Sequence, residues 1–317
     1  MATVPAGVRR IEPGDDAGLR SFVDITSAVT PESPMSLEEV AWSDDLYPGS
    51  VRFLASLDGR TVGAASVGRI YMYEATYERL WFGIHVLPEA RRRGSGHALW
   101  TACSAVTREQ GKSGLQTDVS ERQVDGVAFL EHRGFEVIER AKMVQLALRG
   151  IAPPEVAPPD GFTITTLAER PDLEQGLYAV ALEAYDDIPP LDDTIDVGPF
   201  DEFIARDVRR EGMPPDAIAI GLDAVTGEVA GWASLMYVPG STTMAWHDMT
   251  AVGRRWRGRG LATALKRATI VWAVGHGLEI LETGNDVENA PMRAVNGKLG
   301  YRPIPDQLTL RGPLAPA

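Results

Sequence analysis

Apolar and polar positions alternate in FTITTL from Phe162, in AIAIGLD from Ala217 and in EVAGWASLMYV from Glu228, the period of half-buried strands. AVTG, a short glycine-containing connector, separates the last two and predicts an antiparallel hairpin. TMAWHDMTAV, Thr243 to Val252, reads as a further strand and LEILET from Leu278 as a short buried one. A helical period takes over where Leu261, Leu265, Ala268 and Trp272 form one stripe, and again where Met292, Val295 and Leu299 follow Pro291. Helix-like stretches also cover 172–184 and the neighbourhood of 200–210. The predicted order is β-α-α-β-β-β-α-β-α-β. The first half of the chain repeats it, with Leu99, Ala102 and Val106 at helical spacing.

The repetition extends to motifs. GAAS at Gly63 recurs as GWAS at Gly231, RRRGSG at Arg91 as RWRGRG at Arg255, and RGF at Arg133 as LGY at Leu299. Between the copies runs RGIAPPEVAPPDG, whose Pro153, Pro154, Pro158 and Pro159 forbid helix and favour an extended connector. The expected organisation is an N-terminal domain over 1–150, a Pro-rich linker over 151–160 and a C-terminal domain over 161–317.

Composition narrows the class. With 317 residues, 44% hydrophobic and 24% charged, the chain is an ordinary globular one of two-domain length. Its net charge of −13 divides into −3 for residues 1–150 (17 basic, 20 acidic) and −10 for the rest (14 basic, 24 acidic), a field that disfavours nucleic acid as partner. Cys103 is the single cysteine, so neither a disulfide nor a zinc cluster is expected, and no metal. No apolar run reaches the length of a membrane helix and the first residues do not read as a signal peptide, so a cytoplasmic protein without membrane contact is expected.

The Arg/Gly loops join a strand to a helix, where unpaired N–H groups and the positive end of the helix dipole suit a pyrophosphate. They are not Walker loops, since Leu261 and Ala262 follow Gly260, nor dinucleotide fingerprints, since Thr263 stands three residues beyond Gly260 and Leu99 three beyond Gly96. They resemble the Q/R-x-x-G-x-G/A loop of the GNAT acyltransferase superfamily, through Arg255, Gly258 and Gly260 in the second copy and Arg91, Gly94 and Gly96 in the first. The stretch TGNDVENAPMRAVNGKLGY extends the resemblance in the second copy, and the tandem arrangement is similar to that of mycothiol synthase-like bacterial acetyltransferases.

That resemblance implies a mixed α/β fold of two tandem GNAT domains, each a mostly antiparallel mixed sheet flanked by helices. It implies acetyl-CoA as cofactor, with the pyrophosphate held by Arg257, Gly258, Arg259, Gly260, Leu261, Ala262 and Thr263 and the pantetheine arm running along Thr250, Ala251 and Val252. Asn285, Asn289 and Asn296 are further candidate cofactor contacts, although Asn289 beside Pro291 also reads as a helix cap. The family's frequent proton-donating tyrosine falls on Leu130 in the first copy and Asn296 in the second, and its asparagine on Gln123 and Asn289. The second copy is therefore expected to be the active one, and the first mainly structural or regulatory with its phosphate loop preserved.

Acetyl transfer to an amine requires removal of the amine's proton. Strand alternation puts Asp248 on one face with Thr250 and Val252, and His247 on the other with Met249 and Ala251. Asp248 is the first candidate base, His247 the reserve and Glu282 the third; a carboxylate at 248 that merely fixes backbone is the alternative. Cys103, on a predicted helix, disfavours a covalent route. The acidic stretch over 184–202, with Asp186, Asp187, Asp192, Asp193, Asp196, Asp201 and Glu202, suits attraction of a cationic amine or a solvated loop, and Trp232, Tyr237 and Trp246 are candidate pocket walls. The expected activity is N-acetylation of a small amine, metabolite or antibiotic, by a monomer or homodimer. Acetylation of protein amines and non-catalytic acyl-CoA binding are the alternatives.

Overall fold

A computed structural model of the chain describes residues 7–31, 34–71, 73–187 and 197–316. In chain order the elements are β1 (Val8–Arg10), α1 (Asp16–Val29), α2 (Leu37–Leu46), β2 (Val51–Leu57), β3 (Arg60–Arg69), β4 (Arg79–Val86), α3 (Ser95–Glu109), β5 (Gly114–Ser120), α4 (Val124–Glu131), β6 (Glu136–Ala147), β7 (Phe162–Thr166), α5 (Glu174–Tyr185), α6 (Phe200–Phe203), β8 (Ile218–Asp223), β9 (Val229–Tyr237), β10 (Met244–Val252), α7 (Leu261–Gly275), β11 (Ile280–Asp286), α8 (Ala290–Lys298), β12 (Arg302–Pro303) and β13 (Gln307–Pro313). The expected order of elements is present in both halves, including the β8–β9 hairpin. Asp192, Asp193 and Asp196 lie outside the described residues.

Two compact units form, residues 1–140 with 306–317, and residues 141–305. This division is not the one at 151–160: the Pro-rich stretch belongs to the second unit, and each copy contributes its last strand to the other copy's sheet. In the first unit the order is β1-β2-β3-β4-β5-β13, where β13 pairs antiparallel with β5 from Gln307↔Ser120 to Pro313↔Gly114. In the second, residues 141–147 of β6 pair antiparallel with β11 and complete β7-β8-β9-β10-β11-β6. The sequence does not disclose such an exchange, because a strand's alternation states which face is buried and not which edge it joins.

Packing follows the pattern. In the first unit α3 lays Leu99, Ala102, Cys103 and Val106 on Phe53, Ala65, Leu80 and Leu115, and Leu308 and Leu310 of β13 complete that core. In the second, α5 buries Leu177, Val180 and Ala181 with Phe203, Ile220 and Trp232 on one face of the sheet. Helix α7 covers the opposite face through Leu261 and Leu265, packed with Ala219 and Ala233, and through Ile270 and Ala273, packed with Ala245 and Leu281. Helix α8 starts at Asn289, whose Oδ1 accepts from the Met292 N–H at 3.2 Å, so the capping role read from the sequence is realised.

Candidate active site

Strands β10 and β11 run parallel and pair only over Met244↔Ile280, Ala245↔Leu281 and Trp246↔Glu282. Beyond that they diverge, opening a V whose apex is at His247 and Thr283, where the Thr283 hydroxyl donates to the His247 carbonyl at 2.9 Å. On the other edge of β10 the register with β9 slips between His247 and Thr250, a bulge that sets two residues of β10 against one of β9.

The bulge overturns the strict alternation expected for this strand. Ala245 packs with Ile270 and Ala273 of α7, and the His247 ring bonds to Thr269 of the same helix. After the slip Met249 and Ala251 pack with α5 and its neighbours, while Val252 turns to Leu261 and Leu265 of α7. Asp248 thus shares its face with Met249 and Ala251 and not with Thr250 and Val252.

Asp248 is solvent-accessible, yet protein crowds its carboxyl from the sides. Burial pushes its pKa up to about 6, with Arg210 opposing and Asp207 adding to the rise. Asp207 lies on a π-helical turn, Ile204–Val208, where burial also raises its carboxyl, and it pairs with Arg206 at 2.6 Å. Tyr185 at the end of α5 feels both carboxylates. Asp248, Asp207, Arg210 and Tyr185 therefore form one polar group on the α5 face of the V, and sequence reasoning named only the first. The others sit on segments whose spacing marks helix and nothing more.

His247 is corrected from reserve base to core residue. It is 1% exposed, its Nδ1 accepts from the Tyr301 hydroxyl at 2.9 Å, and its Nε2 lies 3.1 Å from Thr269 Oγ1, which donates to the Lys266 carbonyl. Burial and the Lys266 charge hold the imidazole neutral, far from solvent amines. Glu282 is half-buried and takes a hydrogen bond from Gln145 Nε2 at 2.9 Å. Trp232 is fully buried core, so it walls no pocket. Cys103 is sealed in the first unit, where burial pushes its thiol up and out of nucleophilic range.

At the wide end of the V, Gly258 and Gly260 have φ of 75° and 86°, left-handed values that present successive amides to one side. Gly260 is the N-cap of α7 and among the described residues no side chain caps that helix, so the N–H groups of its first turn are left without an intrahelical partner. The loop is braced from behind: Arg254 bonds Asp187 at 2.8 Å, Arg257 bonds Asp187 at 2.5 Å and the Val252 carbonyl at 2.8 Å, and Arg259 bonds the Asp160 carbonyl at 3.1 Å. Asp187, part of the acidic stretch, is thereby neutralised by the loop and its carboxyl held low. Asn296 Nδ2 donates to Asn285 Oδ1 at 2.7 Å, tying α8 to β11, while Asn296 Oδ1 is buried and has no hydrogen-bond partner among the described residues. A left-handed glycine cradle, an uncapped helix and an orphaned buried carbonyl are the features a coenzyme A molecule would satisfy.

The first unit shows what departs. Its loop superposes in conformation with an offset of 166 residues, since Arg91 at φ −65°, ψ 162° matches Arg257 at −65°, 160°, and N-cap Gly94 matches N-cap Gly260. The sequence alignment of Arg91, Gly94 and Gly96 with Arg255, Gly258 and Gly260 is therefore two residues out. Gly96 lies inside α3, and the counterpart of Gly258 is Arg92, forced to φ 60°. Strands β3 and β4 keep their register, so β4 has no bulge. The loop of the first unit keeps this backbone course with Arg92 in the place of a glycine, and a cavity of about 830 Å³ lies beside it between Phe82, Arg92, Gly94, Gln123 and Leu130.

Residues 19–135 and 182–301 match the profile of the Acetyltransferase (GNAT) family. A curated relative, the aminoglycoside N(6')-acetyltransferase type 1 of Stenotrophomonas maltophilia, is 30% identical over 154 residues, 47% of this chain and 97% of that protein. Among solved structures, a tandem GNAT protein from the clavulanic acid biosynthesis pathway covers 98% of this chain and 99% of its own at TM-score 0.76 and 22% identity. A GCN5-related N-acetyltransferase from Sphaerobacter thermophilus covers 99% and 98% at TM-score 0.72 and 18% identity, and both likenesses are of fold.

Proposed function

Because the chain belongs to the acetyltransferase (GNAT) family, we propose that residues 141–305 form the catalytic unit, transferring acetyl from acetyl-CoA to a small cationic amine. The carrying observation is that the bulged β10, the V between β10 and β11 and the two left-handed glycines occur together in this unit, whereas the other lacks the bulge and has Arg92 at a glycine position. In this reading the amides from Gly258 to Thr263 bind the pyrophosphate, and the edge of β10 over Thr250–Val252 guides the pantetheine arm. The thioester supplies the acetyl group.

The amine approaches from the α5 face, where the carboxyls of Asp207 and Asp248 stand among Arg206 and Arg210 and Asp248 is the one exposed to solvent. Asp248 accepts its proton directly or through water. A carboxyl near 6 is mostly ionised at neutral pH and yet a stronger base than an ordinary aspartate, which is the compromise general-base catalysis favours. Direct transfer follows, since the buried thiol of Cys103 cannot relay acetyl. The N-terminal unit has a structural or regulatory role.

An amine panel tests the reading, with free thiol released from acetyl-CoA as readout. Aminoglycosides head the panel because the 30% identical relative carries that substrate in its name. Turnover with cationic small amines is expected; a chain that binds CoA and acetylates none of them, or that prefers an uncharged acceptor, contradicts it.

A further inference from the structure

Six positions at the V have exact counterparts in the two units, set by the strand pairs Trp81↔Gln116 and Trp246↔Glu282, by the N-caps Gly94 and Gly260, and by the N-caps Gln123 and Asn289. In the first unit they are Phe82, Trp100, Cys103, Val119, Leu130 and Phe135, all buried in one apolar core. In the second they are His247, Lys266, Thr269, Asn285, Asn296 and Tyr301. Every one is polar. Five of these are buried to 3% exposure or less. Since the same fold accepts an apolar set here, packing does not call for the polar one, and burying a lysine is costly in itself.

Lys266 is the unusual member. It is 1% exposed, its ammonium lies 5.2 Å from the Tyr301 ring centroid, and among the described residues no carboxylate pairs with it. The titratable groups around it are His247 from β10 and Tyr301 after α8, both neutral under that burial. His247 marks the apex of the V, so Lys266 is packed behind the apex. From the apex back to the loop, His247 to Val252, the strand spans five residues, roughly 17 Å at about 3.3 Å each, the reach of an extended pantetheine arm. The sulfur end of a cofactor whose pyrophosphate sits on the loop therefore arrives at the apex.

We propose that Lys266 is a positioning residue whose ammonium, fixed behind the apex of the V, balances the negative charge of the thiolate released in transfer. The proposal rests on the acetyl-CoA reading above. As the amine nitrogen bonds the acetyl carbon, the C–S bond breaks with its electron pair left on sulfur, and the amine's proton goes to Asp248. Asn296 of α8, tied to β11 through Asn285, has no acidic proton to give. Burial brings the ammonium down to about 7, so an anion arriving beside it reinforces its protonated form.

The test is the acidity of the thiol in free CoA bound to the full chain, followed by ultraviolet thiolate absorbance, with calorimetry as the separate measure of binding. The bound thiol is expected to titrate about one unit or more below unbound CoA. Lys266→Met should restore the free value and lower kcat about tenfold or more at constant KM for acetyl-CoA, and Lys266→Arg should keep the thiol acidic. Lys266→Gln replaces the methionine variant if that does not fold. CoA bound to the wild type with an unshifted thiol overturns the proposal alone, as does an equal shift in a folded neutral variant. Absence of CoA binding overturns the reading of the site together with it.

Discussion

At the scale of single residues, the environment of Asp248 separates a base from a structural carboxylate. A folded-state pKa raised from 3.8 to about 6 means the native state holds a proton that the unfolded state has released, so this group's contribution favours the native state at low pH and is lost as pH rises through 4 to 6. Asp248→Asn is therefore expected to raise Tm relative to wild type at pH 7 and to narrow that difference at pH 4. The same substitution should lower kcat by ~10²–10⁴-fold and remove the acid limb near pH 6 from the rate profile. Thermal scans at the two pH values and a pH-rate series check both; loss of stability together with loss of rate would make the residue structural. Gly260→Ala places a side chain at φ 86°, where its Cβ meets nothing closer than Pro159 at 3.6 Å, so the effect is backbone strain of about 1–2 kcal/mol. CoA affinity by calorimetry should fall about tenfold or more as the first-turn amides shift.

At the scale of elements, two loops of one ancestry have parted. Arg92 holds a left-handed conformation that its counterpart Gly258 adopts without a Cβ. Arg92→Gly is expected to stabilise the first unit by about 1 kcal/mol, read as a higher denaturation midpoint. It should leave acetyl transfer unchanged if catalysis belongs to the second unit. The β10 bulge is the other divergence: it carries Met249 and Ala251 over to the α5 face beside Asp248, where uninterrupted alternation would have turned them to α7. Neither feature is written in hydrophobic periodicity. A bulge inserts one residue without altering the local composition, and the two-residue error between the loops arises because RRRGSG and RWRGRG look alike while their helices begin at different glycines.

At the scale of the whole molecule, the last strand of the chain is part of the N-terminal unit. Leu308 and Leu310 are 3% and 0% exposed within its core, Arg311 Nε bonds Gln116 at 2.9 Å, and the Ala315 N–H bonds Ser104 Oγ at 2.9 Å. Asp306 and Glu121 both bond Arg140 where β13 begins. Leu310→Ala should cost about 2–5 kcal/mol, and removal of 306–317 should unfold the first unit. Hydrogen exchange by unit distinguishes this from a local effect: lost protection in β5 and α3 is expected, and protection lost only near residue 310 would contradict it.

What the sequence alone determined was local and periodic. The order of elements, the duplication, the Asn289 cap, the glycine loop before α7 and Asp248 as a polar residue on the critical strand all follow from spacing and backbone stereochemistry, which neighbours in the chain control. What tertiary structure decided was every relation between distant segments. It joined β13 to β5 and residues 141–147 to β11, turned His247 inward onto Tyr301 and Thr269, set Asp207 and Arg210 beside Asp248, and enclosed Lys266. An alternating strand fits either sheet edge, and a lysine in LATALKRAT can lie on any helix face. Pairing energy and burial, summed over the assembled core, choose among them.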